Sequence, residues 1–388
     1  MQKRPFGKTG KDVSILGFGC MRLPLTDPGD PASIDCEQAA AMLYKGVEGG
    51  INYVDTAYPY HSRPGVVPGA SEPFLGKALQ GGWRDKVYLA TKLFVRNLKS
   101  REQMDELLDE QLARLQTTHI DFYLVHNLNK NCWPFVRDLG LYDFLEKARA
   151  RGKIRHIGFS FHDNYGLFED IINDYPWEFA QIQYNYLDVE YQAGLKGLRL
   201  AANKGIGMAV MEPLRGGFLV KSVPDEAKDI LARVHPEWSL ADWGLRWVWN
   251  HPEANVVLSG MSTMEQVEKN LAMANSVSPL TEREIAAVDA VRSYFRSRIK
   301  AGCTACGYCM PCPSGLTIPK LLELYNDYYL FDTDASRARA KMFYSMTTPK
   351  GERASACVHC RACEEKCPQG IAVSEAMTAM AALYETEK

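Results

Sequence analysis

One pattern, repeated eight times along the first 275 or so residues, limits the folds open to this chain more than any other feature. Each repeat is a short run rich in β-branched and aromatic residues, followed by a stretch in which apolar residues recur with helical spacing. Because strands and helices alternate strictly, the strands are expected to be parallel. The eight predicted strands are Ile15–Gly19, Asn52–Asp55, Val87–Thr91, Asp121–His126, Ile154–Ser160, Phe179–Tyr184, Gly207–Glu212 and Asn255–Gly260.

Eight strand–helix units predict an α/β fold, namely a (β/α)8 TIM barrel, for which about 250 residues are typical. A doubly wound open sheet is the alternative, and it normally carries a glycine-rich phosphate fingerprint after its first strand. In this chain the first strand leads into residues 17–22, which lack the third glycine of that fingerprint. Residues 4–13 are predicted to form a hairpin that covers the barrel floor.

The pattern changes after about residue 280. Residues 281–300 predict a helix that leads to the first of two cysteine runs, and the segment between the runs is rich in Leu, Tyr, Ala and Arg. This composition predicts further helices rather than the β-hairpins of a small bacterial ferredoxin. The chain is therefore divided into a barrel domain, residues 1–280, and a small, mostly helical ferredoxin-like domain, residues 281–388.

Eight of the eleven cysteines fall in the two runs, with two or three residues between neighbours. Thiolates are soft ligands that hold iron–sulfur clusters, and two [4Fe–4S] cubes need eight of them. In the bacterial two-cluster pattern, the fourth cysteine of each run ligates the cluster of the other run. The predicted sites are therefore Cys303, Cys306 and Cys309 with Cys367, and Cys357, Cys360 and Cys363 with Cys312.

Zinc and disulfide bonds are the alternative uses of these cysteines. Zinc sites usually present their ligands as two pairs, whereas each run has three closely spaced cysteines and a fourth before a proline. Disulfide bonds require an oxidising compartment, which no feature of the sequence indicates. The first run has two residues instead of three before its fourth cysteine, so Cys312 departs from the common pattern.

Charge and hydropathy narrow the range of partners. The 388 residues carry a formal net charge of −2 and no long basic run, so a nucleic-acid partner is not expected. The first ten residues lack the apolar segment of a signal peptide, and no apolar stretch approaches membrane-spanning length. We therefore expect a cytoplasmic protein with no membrane association.

Four polar residues come at or after the ends of consecutive predicted strands, where a barrel of this kind carries its catalytic side chains. Asp55 ends the second strand, Lys92 follows the third, and His126 ends the fourth, while Tyr60 lies in the loop after Asp55. Each alone has an ordinary explanation, such as a helix cap, a lysine that extends to solvent, or a packing aromatic residue. Their combination suits proton transfer to a carbonyl group.

The chemistry follows from the four side chains. A tyrosine has a pKa of about 10, which is too high for an efficient acid near neutral pH, and a nearby lysine lowers it. Asp55 would hold Lys92 in place, and a neutral His126 would donate a hydrogen bond to the carbonyl oxygen. Tyr60 would then protonate that oxygen while a hydride reaches the carbonyl carbon.

Four stretches surround these residues: Gly50–Tyr60, Ala90–Lys92, Asp121–His126 and Gly158–Ser160. In their order and spacing they resemble the aldo-keto reductase family, and the resemblance covers about residues 3–275. It implies that Tyr60 is the general acid and base, that Asp55 and Lys92 tune it, and that His126 orients the carbonyl group. It also implies a nicotinamide cofactor, NADP(H) or NAD(H), and a small carbonyl or alcohol substrate.

The same resemblance implies where the cofactor binds. Ser160 and Gln181 would hold the nicotinamide carboxamide, and the loop with Leu214, Gly216 and Gly217 would cover the pyrophosphate. The adenosine end would lie near Ser259, Gly260, Gln266 and Asn270. NADPH-preferring members often carry lysine or arginine where this chain has Gly260 and Gln266, and such cations grip a 2′-phosphate. Lys269 or another cation would have to substitute for them.

The full architecture resembles aldo-keto reductase-like oxidoreductases that carry a C-terminal ferredoxin domain. A nicotinamide transfers two electrons as hydride, whereas each cluster passes one, and a flavin is the usual device that splits the pair. A flavin is therefore a candidate cofactor, and a ferredoxin is a candidate electron partner. The alternatives are an iron–sulfur electron-transfer protein, a flavin- or ferredoxin-linked oxidoreductase that does not use NADPH in the usual way, or a barrel that works alone beside structural or oxygen-sensing clusters.

Overall fold

The computed structural model describes residues 1–96, 98–303, 307–331 and 333–386. It divides into two compact units, Met1–Pro213 with Gly244–Pro279, and Leu214–Trp243 with Leu280–Lys388. The second unit thus includes the segment between the last two predicted strands as well as the cysteine-rich end of the chain. The domain limits of 1–280 and 281–388 remain a prediction.

The strands all lie in the first unit. They are β1 (Lys3–Pro5), β2 (Asp12–Ser14), β3 (Leu16–Gly19), β4 (Tyr53–Asp55), β5 (Tyr88–Leu93), β6 (Ile120–Leu128), β7 (Ile154–Phe161), β8 (Phe179–Gln183), β9 (Gly207–Met211) and β10 (Val256–Ser259). From β3 to β10 they form a closed barrel of eight parallel strands, in which β10 pairs with β3. The predicted (β/α)8 barrel is confirmed, and the doubly wound open sheet is wrong.

Helices follow the barrel strands and then fill the C-terminal part. In chain order they are α1 (Cys36–Glu48), α2 (Ser71–Ala78), α3 (Glu102–Arg114), α4 (Trp133–Asp138), α5 (Leu141–Ala150), α6 (Tyr165–Asp174), α7 (Gly194–Asn203), α8 (Phe218–Lys221), α9 (Asp225–Ala232), α10 (Leu240–Trp249), α11 (Met264–Asn275), α12 (Glu282–Ser297), α13 (Ile318–Leu330), α14 (Asp334–Thr347), α15 (Ala362–Glu365) and α16 (Val373–Tyr384). In α3, Met104, Leu107 and Leu108 recur with helical spacing, and all three are buried.

The predicted hairpin is present as the antiparallel pair β1 and β2. Between its strands Phe6 is fully buried and meets Phe122 edge-on, with ring centroids 5.0 Å apart. Gly7 lies so close to the start of β9 that a Cβ would come within 2.2 Å of the Gly207 nitrogen. The hairpin therefore packs at the amino ends of the strands and leaves their carboxyl ends for the site.

The second unit is helical around the cysteine runs, which confirms the prediction of a helical ferredoxin-like region. Its core is formed by residues of α13, α14 and α16 and the segments next to them, namely Leu316, Ile318, Leu321, Leu322, Leu324, Tyr344, Val373, Met377 and Met380. Five of the predicted cluster ligands are partly buried against this core. In the described part of the chain, no helix is long and apolar enough to cross a membrane.

Candidate active site and cluster sites

The turn after β4 carries Tyr60, and its backbone contacts the loop that leads to α2. Tyr60 donates its backbone N–H to Ala57 at 3.0 Å, and its carbonyl accepts the N–H of Ser71 at 3.2 Å. Gly69 passes so close that a Cβ there would lie 2.0 Å from the Tyr60 carbonyl oxygen. Only glycine permits this approach, so residue 69 fixes the backbone on which Tyr60 is mounted.

Lys92 lies within β5, and its ammonium is buried among oxygen atoms. Nζ donates to Asp55 Oδ1 at 2.8 Å and Oδ2 at 2.7 Å, and to the Thr56 carbonyl at 2.7 Å. The same nitrogen lies 3.3 Å from Tyr60 Oη. The side chains of Lys92 and Asp55 are 1% and 3% exposed, so water hardly screens the contact between them.

Burial and charge act in opposite directions on this pair. Burial raises the pKa of Asp55 above its ordinary value, and the Lys92 ammonium opposes that rise. Burial disfavours the charged form of Lys92, but Asp55 and Tyr60 outweigh it and raise the pKa of Lys92. Since both carboxylate oxygens contact Nζ, we assign the proton to Lys92 and treat the two residues as an ion pair.

Lys92 and burial act in opposite directions on the pKa of Tyr60. Lys92 lowers the pKa of Tyr60, as anticipated, but burial raises it by more, so that the net pKa lies above the ordinary value. The lowering by Lys92 was expected from the sequence, whereas the opposing effect of burial was not considered there. The phenol keeps its proton at neutral pH, with the Lys92 ammonium 4.8 Å from its ring centroid. A protonated phenol is the form that can donate to a carbonyl oxygen.

His126 reaches the same region because the end of β6 is irregular. The pairing of β6 with β7 shifts between Val125 and Leu128, and Asn127 adopts a left-handed φ of 58°. Such bulges redirect side chains at the ends of strands. The rings of His126 and Tyr60 lie 6.3 Å apart, nearly perpendicular. Burial, and then the charge of Lys92, holds the pKa of His126 well below its ordinary value, so the ring is neutral.

Ser160 and Gln181 lie side by side on β7 and β8, where they are paired in register. Ser160 Oγ accepts the N–H of Asn127 at 2.7 Å, which leaves its own proton free to donate elsewhere. Gln181 Nε2 is 3.4 Å from the sulfur of Met211, a weak acceptor. The two predicted nicotinamide contacts are thus brought together, and each retains bonding capacity.

Two buried polar atoms near these residues lack partners. His126 Nδ1 and Gln181 Oε1 are buried with no hydrogen-bond partner among the residues that the structure describes. Buried polar atoms are nearly always paired in folded proteins. An amide-bearing cofactor with a carbonyl substrate would supply such partners, so the residues present fit a nicotinamide.

The four residues predicted at the adenosine end lie where β10 passes into α11. Asn270 donates to Ser259 Oγ at 3.0 Å, and both side chains are buried. Gln266 Oε1 accepts the N–H of Ser262 at 2.7 Å, while Thr263 caps the helix. Gln266 therefore shapes the turn before α11. Lys269, the substitute cation considered from the sequence, contacts Glu265 at 2.6 Å on the helix surface.

Arg22 is a cation at this end of the barrel that the sequence pattern did not single out. A Cβ on Gly260 would come within 2.9 Å of Arg22 Cγ, so the glycine makes room for the arginine stem. Ser262 Oγ donates to the Arg22 carbonyl at 2.7 Å, and the side chain is exposed. The signal that could have revealed it is the pairing of the first and last strands of a closed barrel.

The remaining predicted cofactor residues, Leu214, Gly216 and Gly217, belong to the second unit. Leu214 precedes a short 3-10 turn, Arg215–Gly217, in which Gly216 and Gly217 have left-handed φ values of 64° and 93°. Arg215, between Leu214 and Gly216, pairs with Asp327 of α13 at 3.1 Å. Their predicted role over the pyrophosphate remains a prediction.

One predicted cluster site coincides with a pocket in the second unit. Cys303, Cys309 and Cys367 line it together with apolar side chains of α13 and α16 and neighbouring residues, including Ile318, Leu322, Ile371 and Val373. Cys306, the fourth predicted ligand, lies outside the described residues. Cys367 comes from the second run, so the pocket joins the two runs in the crossed manner predicted.

The other predicted site is more open to solvent. Cys360 is exposed, whereas Cys312, Cys357 and Cys363 are partly buried. Burial raises the pKa of Cys363, and Glu364 and the neighbouring Cys357 and Cys360 raise it further. Thiolates that repel one another in this way are stabilised by positive iron.

Within the described ranges, no three His, Cys, Asp or Glu residues come close enough to hold a single metal ion. In a cubane cluster each thiolate binds a different iron, so the ligands lie farther apart.

Comparison with known proteins decides the family. The model of the aldo/keto reductase family matches residues 15–293, and a 4Fe-4S dicluster domain matches residues 302–372. The chain belongs to the aldo/keto reductase family. It is an oxidoreductase that carries an iron–sulfur dicluster domain after its barrel, as the sequence predicted. Members of this family act on small carbonyl compounds.

Relatives with curated descriptions cover most of the barrel. An uncharacterised oxidoreductase, YqkF of Bacillus subtilis, is 26% identical over 74% of this chain and 95% of its own length. L-galactose dehydrogenase of Arabidopsis thaliana is 27% identical over 72% of this chain and 90% of its own. Among solved structures, the holo form of aldo-keto reductase AKR11C1 from Bacillus halodurans has a TM-score of 0.61 and 27% identity, covering 75% of this chain and 96% of that one.

Proposed function

We propose that this aldo-keto reductase interconverts a small carbonyl compound and its alcohol at the barrel mouth, with NADP(H) or NAD(H). The observation that carries the proposal is the chain Asp55–Lys92–Tyr60, in which the buried Lys92 lies 2.7 Å from the buried carboxylate and 3.3 Å from the oxygen of the partly buried phenol. A neutral His126 beside Tyr60 completes the arrangement. A purely structural barrel has no need of these four groups at one place.

Tyr60 is the proton donor in this proposal. Its Oη gives a proton to the substrate oxygen during reduction and takes one back during oxidation. Lys92, held as an ammonium by Asp55, stabilises the phenolate that forms when the proton leaves. His126 is neutral, so it donates one hydrogen bond to the substrate oxygen without competing for the proton. A bound nicotinamide supplies or receives the hydride at carbon.

Ser160 and Gln181 orient the carboxamide of the cofactor, because a hydroxyl proton and a buried acceptor oxygen remain unused there. Leu214, Gly216 and Gly217 cover the pyrophosphate. The adenosine end lies near Ser259, Gly260, Gln266 and Asn270. Arg22, which extends past Gly260, supplies the phosphate-binding cation that residues 260 and 266 lack.

The clusters pass single electrons in this proposal, between the barrel reaction and an external carrier such as a ferredoxin. Cys303, Cys306, Cys309 and Cys367 hold one cube, and Cys312, Cys357, Cys360 and Cys363 hold the other. Because hydride carries two electrons and each cube passes one, coupling the two would require a flavin or a similar group. The alternative is a reductase whose clusters do not take part in turnover, or a barrel supplied by the clusters instead of by NADPH.

An anaerobic titration separates these possibilities. Purified protein would be titrated with NADPH and then with NADH while the visible absorbance of the clusters is recorded. Bleaching means that electrons pass from nicotinamide to iron, and the protein must then contain a two-to-one electron splitter, which flavin analysis would identify. Binding without bleaching favours an ordinary carbonyl reductase. If neither nucleotide binds, the nicotinamide proposal is wrong.

The role of Tyr60 has its own test in Tyr60→Phe, which removes only the phenol oxygen. General acid catalysis typically contributes about 10²–10⁴-fold to a rate. We expect kcat for a small aldehyde to fall by about that factor, with nucleotide binding retained. Unchanged turnover would refute the proton-donor role.

A further inference from the structure

A second buried acid lies behind the catalytic residues, and the proposed reaction does not use it. Glu72, in the first turn of α2, is fully buried. Its Oε1 accepts from Thr91 Oγ1 at 2.8 Å and from Gln111 Nε2 at 2.7 Å. Its Oε2 accepts from Arg114 Nε at 3.0 Å. The carboxylate thus joins α2, β5 and α3.

Two paths of hydrogen bonds lead away from Glu72, and we call them its arms. The first arm runs through Gln111 to Lys92, the residue that carries the ammonium. Gln111 Nε2 also donates to the backbone carbonyl of Lys92 at 3.0 Å. Gln111 is fixed in turn by Tyr123, whose hydroxyl donates to Gln111 Oε1 at 2.8 Å. Through Gln111, Glu72 holds the β5 backbone at the point from which the Lys92 side chain departs.

The second arm ends on the loop that fixes Tyr60. Arg114 donates a second bond, through its terminal nitrogen, to the carbonyl of Gly69. Gly69 is the residue whose backbone passes directly against the Tyr60 carbonyl. Arg114 therefore couples the Glu72 carboxylate to the turn from which the phenol extends.

We propose that Glu72 is a positioning residue that sets the separation of Lys92 Nζ and Tyr60 Oη by holding both of their backbones at once. The inference rests on the proposed function, because it assigns a role relative to those two groups. Glu72 touches neither of them and is not itself catalytic. Its two oxygens serve different arms, so loss of either arm changes the position of one partner relative to the other.

The chemistry of the network requires a carboxylate rather than an amide. Gln111 and Arg114 approach the two oxygens as donors, so both positions need acceptors. In Glu72→Gln, one position becomes an NH2 group and faces a donor whichever way the amide is turned. The substitution keeps the size of the side chain and breaks one arm, which makes it a sharp test of positioning.

A matched control exists at the opposite end of the barrel. Asp121 is also a buried carboxylate that pairs with an arginine. Its Oδ2 lies 2.7 Å from Arg84 and accepts the N–H of Leu89 at 2.9 Å. It lies near the start of β6, far along the strand from His126. Asp121→Asn therefore reproduces the loss of a buried acid–arginine contact without touching either arm.

The test compares the two variants in the full protein. We expect Glu72→Gln to lower kcat by about tenfold with KM within twofold, since misplacement of reacting groups by about 1 Å costs up to 10²-fold. We also expect the alkaline limb of the kcat profile for reduction to move to higher pH, because a more distant Lys92 lowers the Tyr60 pKa less. The other titratable groups that face Tyr60 are Asp55, Cys20 and the neutral His126, and the substitution replaces none of them. Asp121→Asn should leave kcat and this limb unchanged, even where its stability falls as much.

A second variant and a crystal structure test the positioning role of Glu72 independently of turnover by Glu72→Gln. If Glu72→Gln does not accumulate, Arg114→Lys serves in its place, because a lysine still pairs with Glu72 but cannot also reach Gly69. A crystal structure of either variant gives a readout without turnover, and we expect the Lys92–Tyr60 separation to exceed the present 3.3 Å. An unchanged separation with an unchanged pH limb would overturn the inference. Absence of activity in the parent protein would instead count against the proposed function.

Discussion

Replacing Asp55 with Asn tests the physical basis of the site directly, because the change keeps the shape of the side chain and removes only its charge. Lys92 would then hold an ammonium in a place that is 1% exposed, with no carboxylate beside it. Removing one member of a buried ion pair costs about 3–5 kcal/mol. Domains are stable by only about 5–15 kcal/mol, so the loss should be large.

The contacts that remain narrow the estimate. Lys92 Nζ would keep the Thr56 carbonyl at 2.7 Å and the Tyr60 oxygen at 3.3 Å. These two acceptors and the amide oxygen of the new asparagine solvate the ammonium in part, so we expect the lower end of the range, about 3 kcal/mol. In the double variant Asp55→Asn with Lys92→Met, neither charge remains. Its loss of stability should therefore be smaller than the sum of the two single losses, by about 2 kcal/mol or more.

Anaerobic urea unfolding of the full protein, monitored by far-UV circular dichroism, measures these differences. A change in stability appears as a shift of the urea midpoint of the barrel transition with the m-value unchanged. Asp30→Asn is the matched control, because it breaks an ion pair whose side chains are far more exposed, 64% for Arg63 and 26% for Asp30. That control should leave the transition in place. An unchanged midpoint in Asp55→Asn, or a double variant that loses the full sum, would refute the view that the buried pair holds the site together.

Three further predictions concern pH, cofactor choice and the clusters. Folding lowers the pKa of His126, so below about pH 6.5 the unfolded chain takes up a proton that the folded protein does not. The free energy of unfolding therefore falls as the pH falls. His126→Asn should reduce that fall between pH 7 and pH 5, measured by urea midpoints. Arg22→Ala should weaken NADPH binding by about tenfold or more and NADH binding by less, and equal weakening in fluorescence titrations would contradict contact with the 2′-phosphate. The cluster predicted at the exposed Cys360 should have the higher reduction potential, because solvent stabilises the charge added on reduction. In a redox titration monitored by EPR, Cys360→Ser should alter the step at the higher potential. Cys303→Ser, in the pocket, should alter the step at the lower potential.

The barrel could be predicted from the sequence because its strands are short, apolar and separated by helices with a clear apolar face. Each observed barrel strand lies within two residues of its predicted ends; β5, for example, begins at Tyr88 and ends at Leu93. Asp55, Lys92 and His126 could be predicted to meet because parallel strands present their carboxyl ends on one side of a barrel. These inferences need only local pattern and topology.

Arg22 and Glu72 were not predicted, and for related reasons. Arg22 matters through its contact with Gly260, which exists because the barrel closes β10 against β3. Glu72 matters through Gln111 and Arg114, which lie 39 and 42 residues further along the chain. A single glutamate in a helix start gives no periodic signal of such partners, and only the packed structure brings them together.

The pKa of Tyr60 shows the limit of reasoning from neighbours alone. The sequence places a lysine near a tyrosine, and that pairing taken by itself lowers the pKa of the phenol. Burial acts on the same group with the opposite sign, and its size depends on how completely the barrel mouth closes around the ring, which no motif encodes. In the folded protein burial prevails, and Lys92 limits a rise that would otherwise be larger. In the proposed reaction, the lysine would therefore serve less to ionise Tyr60 at rest than to stabilise the phenolate once its proton has moved to the substrate.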